Sequence, residues 1–239
     1  MKTRSLFVLA ACLATLSLPA LAADWPQWRG PHRDNVSAET GLLKTWPSGG
    51  PKLLWTYEAA GIGYSGPAVV GKRLYTLGAD EKSESVYALD TDTGKKVWST
   101  EIGSAFSNPY GGGPRSTPTV DGDMLYVLGA QGELVCLESA TGRQIWSTNS
   151  VTGSKNGASI NITPQGSSFF LFTDEGNLIR AQLSPAGYRE ISRSHLIDPT
   201  WPFGQTKFVY APPAFANRHV FARNDEELVC ASLAAKPPK

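Results

Sequence analysis

The sequence of 239 residues carries 22 Lys and Arg against 21 Asp and Glu, with no long basic or acidic block. That balance gives no electrostatic footing for nucleic acid or for an anionic membrane surface, so neither is expected as a partner. Three cysteines are too few for a dense disulfide framework.

Residues 1–22 read as an export signal, because Lys2 and Arg4 precede an apolar run from Leu6 that closes on Ala20, Leu21 and Ala22. Pro19 and small residues interrupt the run and no basic stop-transfer cluster follows, which argues against a membrane-spanning helix. Leu9 to Cys12 outlines a lipoprotein box, but the apolar core before Cys12 is short and the run continues past it. The expectation is an exported protein of the periplasm or cell envelope, with no transmembrane segment once the signal is removed.

Residues 23–50 hold Trp25 and Trp28 ahead of any strand pattern. They are expected to form an N-terminal arm pinned by its aromatics across the side of the fold, with a partner-binding tag as the functional alternative.

From residue 51 onward the chain repeats. Pro67, Pro118 and Pro213 each open a run that crosses a turn into a second strand, followed by "SVYALD", "ELVCLE" and "ELVCAS". In the third copy Thr163 and Pro164 precede "SSFFLF", and "NLIRAQ" fills the later slot. A fourth strand comes next as "TGKKVWST" with Trp98, "TGRQIWST" with Trp146, and "AGYREISR" with Ile191 where tryptophan would stand. A period of about 40–50 residues with four strand signals per unit predicts an all-β propeller of four-stranded antiparallel blades. The blades are expected at about 67–102, 118–149, 158–194 and 213–234 within a propeller spanning 51–235, followed by a tail at 236–239.

The last copy has three strands, and its missing fourth has a counterpart at the N-terminal side, where "GGPKLLWTYEA" around Trp55 matches "TGKKVWSTEIG". The sequence thus predicts about four blades in a ring closed by residues 52–58 pairing with the C-terminal blade, a device that hides strand edges. Trp55, Trp98 and Trp146 are expected to dock between neighbouring blades. Cys136 and Cys230 share one slot in two blades, too far apart for a bridge, and are expected as buried free thiols. Arg180 fills that slot in the third copy and should lie at an edge or be paired.

The "ALDTDTGKKVW" and "CLESATGRQIW" units resemble the tryptophan-docked repeats of quinoprotein-like (PQQ-like repeat) propellers. That family includes quinone-dependent alcohol dehydrogenases and the propeller lipoprotein of the outer-membrane β-barrel assembly machinery. The opening "DWPQWRGPHRDNVS" with "GLLKTWPSGGPKLLW" resembles exported bacterial proteins of the same kind. Such relatives carry about seven or eight blades, so the resemblance implies a shortened propeller. The dehydrogenases use a vicinal disulfide and acidic calcium ligands, whereas this chain has no adjacent cysteines. No cofactor is therefore expected, with PQQ and calcium as the alternative.

Other motifs read as structure. "DTDTG" at 90–94 lacks the remaining spacing of a calcium loop and predicts a turn, with Gly94 and Gly142 at positive φ. "YGGGPR" at 110–115 reads as an interblade loop rather than an anion cradle, with Arg115 as the residue to test. His32, His195 and His219 lack metal-ligand spacing. The interblade loops and second-to-third strand turns converge on one face, gathering Tyr64, Arg115, Trp201, Phe203, Arg223 and Asp225. Aromatics with Arg favour contact with an envelope or secreted protein, or with a glycan. The functional expectation is a noncatalytic binding or scaffold module, with a PQQ-dependent oxidoreductase or an inactive shortened relative as the alternatives.

Overall fold

The computed structural model describes residues 23–109, 111–149, 160–203 and 206–235; the expected export signal and the tail at 236–239 lie outside them. Three four-stranded antiparallel sheets follow one another. The first is β1 (Ala68–Val70), β2 (Arg73–Ala79), β3 (Ser83–Asp90) and β4 (Lys96–Ser104). The second is β5 (Thr119–Asp121), β6 (Met124–Leu128), β7 (Leu134–Glu138) and β8 (Gln144–Thr148). The third is β9 (Ile160–Gln165), β10 (Ser168–Thr173), β11 (Asn177–Ser184) and β12 (Gly187–His195). A small hairpin of β13 (Trp201–Phe203) and β14 (Thr206–Phe208) leads to a fourth sheet of three strands, β15 (Ala214–Ala216), β16 (His219–Arg223) and β17 (Leu228–Ser232). Each sheet is a meander in chain order, as short β-branched and aromatic runs separated by turn residues require. In the fourth sheet the first turn is made by Asn217 and Arg218, both at positive φ, the backbone that a two-residue hairpin loop of type I′ demands.

The core lies between sheets rather than within one. Tyr75, Leu77, Val86 and Ile102 of the first blade pack in one cluster with Leu125, Val127, Val135 and Leu137 of the second. Leu134 joins Leu171, Ile179 and Ala181 at the second junction, and Phe172 and Leu178 join Val220 and Ala222 at the third.

A tryptophan marks the outer end of the first two junctions. Trp98 Nε1 donates to the Ser139 carbonyl at 3.1 Å, just beyond β7, and Trp146 Nε1 donates to the Ser184 carbonyl at 2.9 Å, at the end of β11. The Trp98 ring lies on Gly142, where a Cβ would fall 2.4 Å from a ring carbon. Gly142 has φ +73°, so turn geometry and ring contact demand the same residue. Trp55 repeats the arrangement on the first blade, donating to the Thr91 carbonyl at 2.9 Å with its ring against Gly94.

Two expectations need correction. Residues 52–58 do not pair with the C-terminal blade: the fourth sheet has three strands, and among the described residues no strand lies on the outer side of β17. Trp55 holds this segment at the first blade, and the three core clusters join blades one to two, two to three and three to four, none joining four to one. Leu53 and Leu54 are accordingly 76% exposed and Leu228 is 69% exposed. The second correction follows from the first. Cys136 is buried beneath its pairing with Trp146 on β8, whereas Cys230 is exposed because no fourth strand covers its slot.

The arm also takes a different path from the expected one. Trp25 exchanges backbone hydrogen bonds with Val69 on β1 at 2.7 and 2.8 Å, and the Pro26 carbonyl accepts from Val120 on β5 at 2.8 Å. Arg33 reaches the Ile162 carbonyl on β9 at 2.6 Å. The arm therefore crosses the first strands of three successive blades instead of lying against their outer sides.

Trp98→Ala removes a docking hydrogen bond and the ring contacts with Tyr75 and Gly142. Because the ring is half-buried, the expected loss is about 3 kcal/mol, at the low end for a large aromatic truncation. A thermal or urea melt of the variant beside the parent protein measures it.

Candidate interaction face

The segments leading into β1 and β5 are near-copies, Tyr64-Ser65-Gly66-Pro67 and Arg115-Ser116-Thr117-Pro118. The two serines anchor them. Ser65 Oγ donates to the Ser116 carbonyl at 2.7 Å and accepts from the Leu77 amide at 3.2 Å, while Ser116 Oγ donates to the Leu128 carbonyl at 2.6 Å. The Tyr64 amide donates to the Pro114 carbonyl at 2.8 Å, zipping one segment to the other. The side chains preceding the serines are thereby fixed on one face.

There the Arg115 guanidinium lies 5.3 Å from the Tyr64 ring centroid and 5.5 Å from that of Phe106, within cation–π range. Its Nη1 donates to the Gly113 carbonyl at 2.9 Å and its Nη2 to the Gly111 carbonyl at 2.8 Å. The glycine-rich loop is thus closed by its own arginine through two of the guanidinium's five donors. Tyr64 remains 62% exposed above this support.

Beneath the patch lies Glu84, 1% exposed. Its Oε2 accepts from the Ala130 amide at 2.8 Å, and its Oε1 is buried without a hydrogen-bond partner. Burial pushes the carboxyl above the usual glutamate range; the Ala130 amide, the Arg115 charge and the Phe106 amide oppose that shift without cancelling it. Residue types alone do not mark Glu84 as buried, because its position in the repeat is taken by Gly132 and Gly176 in the next two blades.

The remaining face residues form a second group on the loops of the third and fourth blades. Thr200 hydrogen-bonds Asp225, Asn224 Nδ2 donates to the Asp198 carbonyl at 2.9 Å, and Arg223 Nε donates to the Asn224 carbonyl at 3.1 Å. Trp201 on β13 is 51% exposed. Phe203 lies on the same strand, and its side chain is outside the described residues. Among the described residues no hydrogen bond or ring contact joins Trp201, Arg223 or Asp225 to Tyr64 and Arg115.

Two concavities escaped the sequence reading. One, of about 440 Å³, lies under the arm between Trp25, Trp28, Arg29 and the Gly66–Pro67 lead into β1. The other, of about 540 Å³, opens between the third and fourth blades beside Phe170, Arg180, Phe215 and His219. The missing tryptophan was its signal, but the slot lies one residue beyond Ile191: Ser192 stands opposite Arg180, as Trp98 stands opposite Ala88 and Trp146 opposite Cys136. Arg180, on the inner strand β11, is paired rather than at an edge: it bonds Gln165 at 3.1 Å and stacks 5.6 Å from the Phe170 centroid.

The "DTDTG" carboxylates are committed to the turn. Asp90 accepts from the Thr93 amide and hydroxyl at 3.0 and 2.8 Å, which holds its carboxyl below the usual range, and Asp92 pairs with Lys72 at 2.8 Å. His195 bonds Asp198 at 2.8 Å and His219 bonds the Asn217 carbonyl at 2.7 Å. Among the described residues no three His, Cys, Asp or Glu side chains converge as metal donors.

Blades of four antiparallel strands joined by indole-to-carbonyl docking find their counterpart in known proteins. The family model described as outer membrane protein assembly factor BamB matches residues 47–236. The chain belongs to this BamB-like family of PQQ-like repeat propellers. A search of the curated proteins finds no match. Among solved structures, a quinohemoprotein alcohol dehydrogenase from Comamonas testosteroni is 18% identical with a TM-score of 0.55, the match covering 85% of this chain and 36% of the dehydrogenase. BamB from Moraxella catarrhalis is 17% identical with a TM-score of 0.34, over 74% of this chain and 62% of that one. At these identities the dehydrogenase likeness concerns the fold. The BamB-like chain described here thus spans about a third of the dehydrogenase's length.

Glu84 gives the face a pH signature. A carboxyl whose folded pKa is raised stabilises the fold when protonated, and that contribution is lost as pH rises from the ordinary value of 4.5 through the raised one. Glu84→Gln keeps an acceptor for Ala130 and removes the charge. The variant is expected to melt higher than the parent at neutral pH, the gap shrinking as pH falls through the raised pKa and levelling off below 4.5; melting curves from pH 4 to 8 check it.

Proposed function

We propose that this chain is an exported, noncatalytic propeller module that binds a protein partner in the bacterial envelope and acts as a scaffold there. The observation that carries the reading is the exposed Tyr64 ring, clasped by Arg115 over Phe106 and held by paired backbone segments. Tyrosine, tryptophan and arginine dominate the energetics of protein interfaces, and an anchor already fixed loses little side-chain entropy on binding. Trp201 supplies a second exposed aromatic on the loops of the last two blades. Membership of a family described as an outer membrane protein assembly factor supports an envelope protein as the partner class. The reading requires no cofactor, since the face consists of side chains suited to contact rather than to electron transfer.

The test is affinity capture from envelope extracts with the parent protein and a Tyr64→Ala, Arg115→Ala, Trp201→Ala variant of unchanged melting behaviour. Specific partners are expected to be lost from the variant, with a drop of about 30-fold or more in affinity for each anchor worth about 2 kcal/mol. Identical partner sets would remove this face from the function. Addition of PQQ with calcium is expected to give neither a bound chromophore nor dye-linked alcohol oxidation.

A further inference from the structure

Among the described residues two parts of the molecule are complementary and unpaired. β17 hydrogen-bonds β16 on one side, and Leu228, Cys230 and Ser232 are exposed, whereas the matching positions Leu134 and Cys136 on β7 are buried beside β8. Residues 51–58 have the sequence of a fourth strand but belong to no sheet; their two leucines face solvent, while Trp55 and Tyr57 are seated against the first blade. An exposed edge beside an unused strand sequence is a template for strand addition.

The register of that addition is fixed by the completed blades. Trp98 stands opposite Ala88, and Trp146 stands opposite Cys136. Ala88 and Cys136 share the slot that Cys230 occupies, so a 51–58 strand laid on β17 sets Trp55 opposite Cys230, Thr56 opposite Val229 and Tyr57 opposite Leu228. Its docking partner is already in place, because Trp55 sits on the carbonyl of Thr91 and on Gly94 of the blade that follows it. The contact formed is one more interblade junction of the kind that joins the first blade to the second, with the same indole donor and the same glycine.

Within one chain the strand stays with the first blade and β17 stays open. We propose that the strand is supplied by a second copy: residues 51–58 of each copy complete the C-terminal blade of the other, so that two copies of four blades close into one ring of eight. Head-to-tail contacts must either close or propagate, and propeller rings of up to about eight blades are well populated. Exchange between two copies leaves neither edge unpaired. The inference is independent of the interaction face, since neither Tyr64, Arg115 nor Trp201 takes part in the junction.

Light scattering on the purified protein is expected to give twice the chain mass. Thr56→Cys and Val229→Cys, each made in a Cys230→Ser background and carrying tags of different size, are then mixed and treated with a short bis-maleimide. A two-chain product containing both tags is expected, with the Cys230→Ser parent as the background. Thr56→Pro, which blocks the ladder and retains Trp55, is expected to shift the mass to a single chain. The proposal is overturned by a crosslink confined to one chain when both cysteines are placed in the same molecule, which shows self-closure. It is overturned equally by a single-chain mass without any crosslink, or by a series of multiples beyond two.

Discussion

The architecture depends on one repeated contact, an indole donating to a carbonyl at the end of the following blade's third strand. Trp55, Trp98 and Trp146 make it at 2.9–3.1 Å. A blade buries little on its own, because a four-stranded sheet has two faces to cover and each is covered by a neighbour. The tryptophan fixes how neighbours meet by combining a large apolar ring with one directed donor. Where the ring lies on glycine, as at Gly94 and Gly142, the contact tolerates no side chain. The third junction shows the contact's worth by its absence. Ser192, opposite Arg180, takes the tryptophan's position and Ile191 falls on the bulge beside it; the blades are joined instead through the Phe170–Phe215 stack at 4.8 Å, and a cleft opens beside it.

The arm and the interaction face are linked through the segments that lead into the first strands. By bonding to Val69, Val120 and Ile162 in turn, the arm ties the first strands of three blades together. Tyr64 and Arg115 lie just ahead of Val69 and Val120 in the chain, so the presented side chains are held between the arm and the serine anchors. Glu84 adds a buried carboxyl beneath them, and its raised pKa is the energetic mark of a polar group kept in an apolar place for which the Ala130 amide compensates only in part.

Much of this was legible in the residues. The four-copy repeat, the turn glycines, the absence of a bridge between Cys136 and Cys230, and the pairing of Arg180 follow from local pattern, because each depends on which slot of a blade a residue fills. Six face residues were read from loop position alone; of these, Tyr64 and Arg115 meet across one interblade loop, whereas Trp201, Arg223 and Asp225 belong to the loops of the last two blades. Loop position specifies a face of the ring but not a distance along it.

By itself the sequence determined the strands of the repeated blades, their order within each blade, and the slots of Trp98 and Trp146, since these rest on periodicities of two and of about 40–50 residues. Only the tertiary structure decided what meets what across long separations. It placed the arm along the first strands, left Cys230 in the open, and kept residues 51–58 on the first blade instead of beside β17. The reason is physical: a strand's sequence states that it needs a neighbour, while the packing of whole blades against one another decides which neighbour lies within reach.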